Sequence, residues 1–148
     1  MNLFVLSRVL VAGLLIFSGL EKLISPYQNF LYVIQSYQLL PPMGEEWTAK
    51  IFPWIEFLVG LFLGLGLWTQ CALRGALVLF TVFVTVVGQA LIRHLPISEC
   101  GCFGEAISLP LQTVLLMDSF IWLLIVKLLF QLAKTSALSL DQYFEKAK

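Results

Sequence analysis

The sequence has little charge. Asp, Glu, Lys and Arg make up 12% of its 148 residues, and nine basic side chains balance nine acidic ones. A chain without net charge offers no basic surface for nucleic acid, so we exclude that class of partner. Histidine occurs once, as His94, and cysteine three times. A zinc site built on the neighbouring Cys100 and Cys102 would need further ligands, and His94 is a poor completion of its tetrad, so we predict no metal site.

Apolar residues fill the rest of the chain. They make up 59% of it, and the mean hydropathy is +0.92, which is more apolar than an ordinary globular domain. Four apolar runs are long enough to cross a hydrocarbon core of about 30 Å as helices. They lie at about 3–23, 51–68, 73–92 and 111–132. We therefore predict an all-α fold, an integral membrane four-helix bundle, with residues 1–148 as a single membrane domain in a lipid bilayer.

Prolines divide the first two runs. The segment 25–46 is more polar, and its apolar pattern ends before Pro41 and Pro42, which cannot continue a helix. We expect this region to lie along the membrane interface, with its aromatic side chains at headgroup level: Tyr27, Tyr32, Tyr37 and Trp47. The second run is expected to open with Pro53 in its first helical turn, where a missing N–H costs little.

Basic residues near the ends of the runs predict the orientation, because cytoplasmic loops carry an excess of Lys and Arg. If both termini are cytoplasmic, the inner side holds Arg8, Arg74, Lys134, Lys146 and Lys148, and the outer side holds Lys22, Lys50 and Arg93. We therefore predict a multi-pass protein of the bacterial inner (cell) membrane with both termini cytoplasmic. The loop 93–110 is then extracytoplasmic, and Cys71, between the second and third runs, lies a bilayer of about 30 Å away from it.

Cys100 and Cys102 lie in that outer loop and are separated only by Gly101. Glycine gives the backbone the freedom to bring the two thiols together, and a disulfide in so small a ring should be strained and therefore exchange readily. The alternatives are a bond to a partner protein, a metal site, or two thiols that only pack. We interpret the pair as catalytic, for thiol–disulfide exchange. Cys71 is too distant to be its direct disulfide partner.

Two acidic residues lie inside the apolar runs, Glu56 in the second and Asp118 in the fourth. An ionisable side chain at the bilayer centre costs roughly 2.5 to 3.5 kcal/mol on insertion scales, so each needs a partner or a function. The basic residues within reach are Lys22 and Arg93, at the outer ends of the first and third runs. We predict a supporting charge cluster beneath the cysteines, formed by Lys22, Glu56, Asp118 and Arg93, with Gln89 beside it. The alternative is that these charges only hold the helices in register.

The residues around these charges predict which way they face. Glu56 is followed by Gly60 and Gly64 at intervals of one helical turn. Such a stripe of small residues lets another helix approach closely, so the carboxyl group is expected to face the bundle. Arg8, near the cytoplasmic end of the first run, is expected to extend to the headgroups instead.

Five short motifs follow one another along nearly the whole chain. They are Arg8; Ser18-Gly19-Leu20-Glu21-Lys22-Leu23; Tyr37 with Leu39-Leu40-Pro41; Phe52-Pro53-Trp54-Ile55-Glu56; and, the most specific, Cys100-Gly101-Cys102-Phe103-Gly104. In this order and spacing the chain resembles the methylamine-utilisation MauE family, within the wider set of DoxX-like four-helix membrane proteins.

The resemblance implies a membrane protein that assists the maturation of methylamine dehydrogenase, whose exported small subunit carries many disulfides and a tryptophan-derived quinone. By the motif match, the positions that carry over are Lys22, Glu56, Cys100, Cys102 and Asp118. The plan is also similar to that of membrane proteins that oxidise dithiols with a quinone, which makes a quinone a candidate cofactor by analogy of architecture.

We therefore expect thiol–disulfide handling at the outer face of the membrane. Cys100 and Cys102 would pass electrons between an exported disulfide-containing protein and either a quinone or a thioredoxin-like protein, with Arg93 favouring the thiolate form. The chain is then a candidate thiol–disulfide oxidoreductase. The alternative is a non-catalytic assembly or anchoring subunit of a redox complex, in which the cysteines form a fixed bond. A small-molecule carrier is least favoured, because the runs include no pair of discontinuous helices.

Overall fold

A computed structural model describes residues 3–95, 97 and 110–131, and within these ranges the chain forms five α-helices and no strand. The helices are α1 (Leu3–Ile24), α2 (Tyr27–Tyr37), α3 (Pro42–Leu65), α4 (Thr69–Ile92) and α5 (Leu111–Phe130). The predicted all-α fold is confirmed. Cys100 and Cys102 lie outside the described residues.

Four of these helices, α1, α3, α4 and α5, are long and apolar enough to cross a membrane, with 20 to 24 residues each. Large apolar side chains project from the bundle on their outer faces, among them Leu10, Leu116, Phe120 and Leu123. Water would be a poor solvent for such a surface, whereas hydrocarbon is a good one. The chain is therefore a multi-pass membrane protein whose surroundings are a lipid bilayer.

Helix α3 begins at Pro42, well before the apolar run that was predicted to open at Ile51. A proline cannot continue a helix, but it fits the first turn, where its missing N–H has no helical partner. Pro41 precedes it as the N-cap residue, so the proline pair that ends the previous segment also starts α3. The predicted first-turn position of Pro53 is therefore wrong. Pro53 lies inside α3 and donates no hydrogen bond to the carbonyl group of Ala49.

Helix α2 connects α1 to α3 and is buried at its C-terminal end. Tyr27, Tyr32 and Trp47 are exposed, as expected of side chains at headgroup level, but Tyr37 is only 5% exposed. Its neighbours in the core come from α4 and α5: Val87, Ala90, Leu111 and Val114. The prediction of a headgroup position is therefore wrong for Tyr37, because this residue packs against the bundle.

Helices α4 and α5 run antiparallel. The first half of α4, with Ala72 and Leu73, shares its core cluster with Ile125 and Leu128 near the end of α5. The last turns of α4 share theirs with the first turns of α5. The chain therefore leaves α4 and rejoins α5 at one end of the bundle, which also carries α2 and which we call the loop end. Cys71 is exposed at the opposite end.

Helices α1 and α3 cross so closely that glycine is required on both. A Cβ atom at Gly19 would lie 2.7 Å from the backbone nitrogen of Phe57, and one at Gly60 would lie 2.9 Å from the backbone nitrogen of Ile16. Small residues let membrane helices approach until their backbones touch. The close approach predicted for Gly60 is confirmed, and it sets one face of α1 directly against Glu56.

We expect Gly19→Ala to lower the free energy of unfolding by about 1–3 kcal/mol, because the added methyl group must displace the backbone of α3. Gly13→Ala is the matched control on the same helix, since no atom lies within 4 Å of its Cβ position. Alanine at this control position should be neutral or slightly stabilising, by up to about 1 kcal/mol. The measurement is unfolding by sodium dodecyl sulfate in mixed micelles. Equal stability of the two variants would contradict the close crossing.

Candidate functional site

A buried ion pair joins α1 to α3. The Nζ atom of Lys22 lies 3.0 Å from Oε2 of Glu56, and the two side chains are 1% and 0% exposed. Lys22 also donates a hydrogen bond to Oγ of Ser18 at 2.6 Å, and Ser18 donates one to Oε1 of Glu56 at 3.4 Å. Ser18 and Lys22 are one helical turn apart and so share the face of α1 that meets α3. The pair holds these two helices in a fixed register.

Aromatic rings enclose the ammonium group of Lys22. Its Nζ atom lies 5.4 Å from the centroid of the Phe30 ring and 6.0 Å from that of Phe83, distances at which a ring face attracts a cation. The Phe52 ring packs against both, with centroid distances of 6.3 Å and 5.6 Å. These rings come from α2, α3 and α4. They place the ion pair between α1 and α3 in an apolar surrounding.

Asp118 on α5 completes the group. Together with Ser18 and Glu56 it lines a cavity of about 20 Å³, and it is itself 3% exposed. Apolar side chains form the rest of the wall: Leu14, Leu15, Phe80, Phe83 and Ile121. Among the residues that the structure describes, Oδ2 of Asp118 has no hydrogen-bond partner. We call Ser18, Lys22, Glu56 and Asp118 the charged cluster.

Arg93, predicted to support the same cluster, makes its contact elsewhere. It is exposed at the C-terminal end of α4, where its Nη1 atom donates a hydrogen bond to Oε1 of Gln89 at 3.1 Å. Gln89 in turn donates one to the backbone carbonyl of Tyr37 at 3.4 Å. The structure thus brings Lys22, Glu56 and Asp118 together. The contact between Arg93 and Gln89 is separate from them and lies nearer to the loop end.

Two polar residues near the charges were not expected from the sequence. Ser18 had a usable signal, since it precedes Lys22 by one helical turn in an otherwise apolar run. For Tyr37 the family motif was the available signal, because tyrosine at the end of an interfacial segment is ordinarily a headgroup anchor. Burial raises the pKa of the Tyr37 hydroxyl to about 12. This phenol therefore stays protonated at neutral pH and can donate a hydrogen bond.

Arg8 is a separate buried charge, 1% exposed. The expectation that it extends to the headgroups is wrong, because Arg8 lies on the same inward face of α1 as Leu15, Ser18 and Lys22. It precedes Ser18 by ten residues, or about 15 Å of helix. Arg8 therefore belongs to the end of the bundle opposite the loop end.

A groove opens beside the charged cluster. It has a volume of about 330 Å³ and is lined by α2, α3, α4 and the segment between α2 and α3. Ligand pockets typically measure about 300–1,000 Å³. Phe30 and Phe83 line this groove and also flank Lys22, and Phe52, which packs against both rings, lines the groove too. One layer of rings therefore separates the groove from the ion pair. Tyr37 and Thr48 line it as well and add hydroxyl groups to its composition.

The described flanks of the cysteine loop lie above the charged cluster. α4 ends at Ile92 and α5 begins at Leu111, both at the loop end. Asp118 follows Leu111 by about two helical turns, or roughly 10 Å along α5. Across the described ranges, no group of three or more His, Cys, Asp or Glu side chains is placed to hold a metal ion. The described site offers buried charge, an apolar groove and one small cavity with three polar side chains in its wall.

Comparison with known proteins identifies one family. Residues 1–131 match the sequence model of the family described as Methylamine utilisation protein MauE. No curated protein and no solved structure matches the chain. The matched range contains the five described helices and the charged cluster, and it also contains Cys100 and Cys102.

We expect Lys22→Met to lower the free energy of unfolding by about 3–5 kcal/mol, because the buried carboxyl group of Glu56 loses its cation and must either stay unpaired or take up a proton at neutral pH. Methionine has a similar length and packs well against the rings, so the loss reports the charge. In the double variant Lys22→Met/Glu56→Gln most of the stability should return, since glutamine is neutral without taking up a proton. Unfolding in mixed micelles measures all three proteins.

The matched control for this prediction is Lys50→Met. Lys50 pairs with Glu46 one turn away on α3 at 2.6 Å, but these side chains are 48% and 53% exposed. An exposed pair contributes little to stability, so no measurable change is expected. A double variant no more stable than Lys22→Met alone would show that the loss has a cause other than the broken ion pair.

Proposed function

The chain belongs to the MauE family of methylamine-utilisation proteins, and on that premise we propose that it is a thiol–disulfide exchange protein of the bacterial inner membrane. Cys100 and Cys102 react, in this proposal, with an exported protein that acquires disulfides, such as the small subunit of methylamine dehydrogenase. One observation carries the proposal: in the sequence, two cysteines one residue apart fall between α4 and α5, and the described ends of these two helices lie at the same end of the bundle as the buried charged cluster.

The reaction is an exchange of two electrons. A thiolate of the exported protein attacks one sulfur of the Cys100–Cys102 disulfide, forming a mixed disulfide and releasing the other cysteine as a thiolate. A second thiolate of the exported protein attacks its own sulfur in that mixed disulfide. The exported protein thereby gains a disulfide, and the pair is reduced to two thiols. An acceptor that takes two electrons and two protons restores the pair.

Cys71 stands apart from this chemistry. It is exposed in the first turn of α4, and the loop leaves the same helix after Ile92, at its other end. The helical length between them is roughly 30 Å, far beyond the reach of a disulfide. The single pair must therefore serve both the exported protein and the acceptor.

The acceptor is a membrane quinone or the disulfide of a thioredoxin-like protein. The groove supports the quinone, because Phe30, Phe52 and Phe83 offer flat apolar surfaces that suit a ring with an isoprenoid tail. Tyr37 and Thr48 bring hydroxyl groups to the lining of the same groove. A quinone held there would supply the capacity to accept the two electrons and two protons.

The second candidate is a non-catalytic assembly or anchoring subunit of a redox complex. The burial of the Lys22–Glu56 pair supports this candidate. Side chains that are 1% and 0% exposed can serve only to hold α1 and α3 together, without taking part in a reaction. In that case the bond between Cys100 and Cys102 is fixed, and neither cysteine forms a mixed disulfide with another protein.

Thiol trapping in intact cells distinguishes the two candidates. In a Cys71→Ser background, we expect a membrane-impermeant maleimide to label the pair after mild reductant and not before. We also expect Cys100→Ser or Cys102→Ser to accumulate a mixed disulfide with an exported protein, because the remaining thiol lacks the partner that would release it. The adduct is a band on a non-reducing gel that reductant removes.

The control retains Cys71 and replaces both loop cysteines with serine. This protein should be labelled only after the membrane is permeabilised, since Cys71 lies at the opposite end of the bundle. Labelling of the pair only after strong reductant and denaturant, with no adduct from either serine variant, would assign the cysteines to a structural bond and support the assembly subunit.

A further inference from the structure

One buried oxygen of the charged cluster makes no hydrogen bond within the described ranges of the chain. Asp118 is 3% exposed, and its Oδ2 atom has no hydrogen-bond partner in the described part of the chain. A buried carboxylate normally accepts several hydrogen bonds, because without them its charge is poorly stabilised. The surroundings of this oxygen therefore bear on whether Asp118 is charged at all.

The cavity beside Asp118 has the size of a water site, and three polar side chains stand in its otherwise apolar wall. It measures about 20 Å³, and about 10–15 Å³ is enough for one water molecule. Its polar wall consists of Ser18, Glu56 and Asp118. Glu56 is held as an acceptor by Ser18 and Lys22, and Ser18 itself accepts from Lys22. Asp118 thus faces groups that accept hydrogen bonds, which favours a form of Asp118 that can donate one.

The balance of charges also favours a protonated Asp118. Within the charged cluster one ammonium group faces two carboxyl groups, and two ionised carboxylates in an apolar surrounding repel strongly. Among the residues that the structure describes, the other elements packed around the cavity do not supply a second cation at this level. Tyr37 on α2 is a neutral phenol, α4 contributes Phe80 and Phe83, and Arg8 on α1 lies about 15 Å along the helix from Ser18.

We propose that Asp118 is a proton-binding site that holds one proton at neutral pH and donates it, through a single internal water, toward Glu56 and Ser18. The ligands of this site are a proton and one water molecule. The charged cluster is then electrically neutral, with one ammonium, one carboxylate and one carboxylic acid. This site goes beyond the proposed function and does not depend on the cysteines.

The position of the proton selects the partner of Lys22. With the proton on Asp118, the carboxylate is Glu56, and Lys22 ties α1 to α3. If the proton passes through the water to Glu56, Asp118 becomes the ionised group. Lys22 is then attracted to Asp118, and the ion pair joins α1 to α5 instead. One proton moves, no electron moves, and the charge of the cluster is unchanged. The cluster can therefore exchange one helix contact for another without leaving an unpaired charge in the membrane.

Infrared spectroscopy of the full chain in lipid nanodiscs near neutral pH tests the site. A protonated carboxyl group gives a C=O stretching band of its own, which moves when H2O is replaced by D2O. The chain has two aspartates, Asp118 and Asp141. Protein with 13C-labelled aspartate carboxyls and the substitution Asp141→Asn therefore reports Asp118 with the cluster intact. We expect one protonated-carboxyl band that the label shifts.

Three variants extend the test by counting protons. Glu56→Gln should abolish the band, because Asp118 is then the only carboxyl of the cluster opposite Lys22 and ionises. Lys22→Met should double the intensity, and the added half should be insensitive to the aspartate label, because Glu56 then takes up a proton too. Glu46→Gln, which removes an exposed acid on the same helix as Glu56, should leave the spectrum unchanged.

The labelled protein decides the proposal by itself, so the test stands even if a variant fails to fold. Absence of a protonated-carboxyl band would overturn it. A band that the aspartate label does not move would assign the proton to a glutamate and overturn it as well. Survival of the Asp118 band in folded Glu56→Gln would show that the two carboxyls do not share one proton through this cavity.

Discussion

The contact between Lys22 and Glu56 is the constraint around which the described bundle is arranged. A buried ion pair in a membrane protein needs both of its partners, because either group alone would be an unpaired charge in an apolar medium. Its 3.0 Å separation requires α1 and α3 to touch, which Gly19 and Gly60 permit. The rings of Phe30 and Phe83, contributed by α2 and α4, close around the pair.

The bundle thereby keeps two kinds of chemistry side by side at its loop end. On one side of the aromatic layer are the ionisable groups and their small cavity, and on the other is a groove suited to an apolar ring. A thiol–disulfide exchange that passes its electrons to a lipid-soluble acceptor needs both features. The groove would hold the apolar acceptor, and the ionisable groups would handle the protons that accompany the electrons. This adjacency supports the proposed function independently of the cysteine spacing.

Much of this arrangement follows from simple features of the sequence. Long apolar runs predict the spanning helices, and ionisable residues inside them mark the cluster, because burying a charge is too costly without a partner. The start of α3 was not predictable in this way, since a proline pair ends one helix and begins another equally well. The burial of Tyr37 and Arg8 was missed for a related reason. Both residues are common at membrane interfaces, and only the rotation of their helices decides which way they face.

Pro53 removes one hydrogen bond from the middle of α3. The imino ring withholds the bond that would join this turn to Ala49, so the helix is mechanically weakest there. This turn lies between the part of α3 that carries Thr48 and the part fastened to α1 by Glu56 and Gly60. Thr48 and Phe52 line the groove from the N-terminal side of Pro53. A deformation of the groove wall is therefore absorbed at Pro53 before it reaches the buried ion pair.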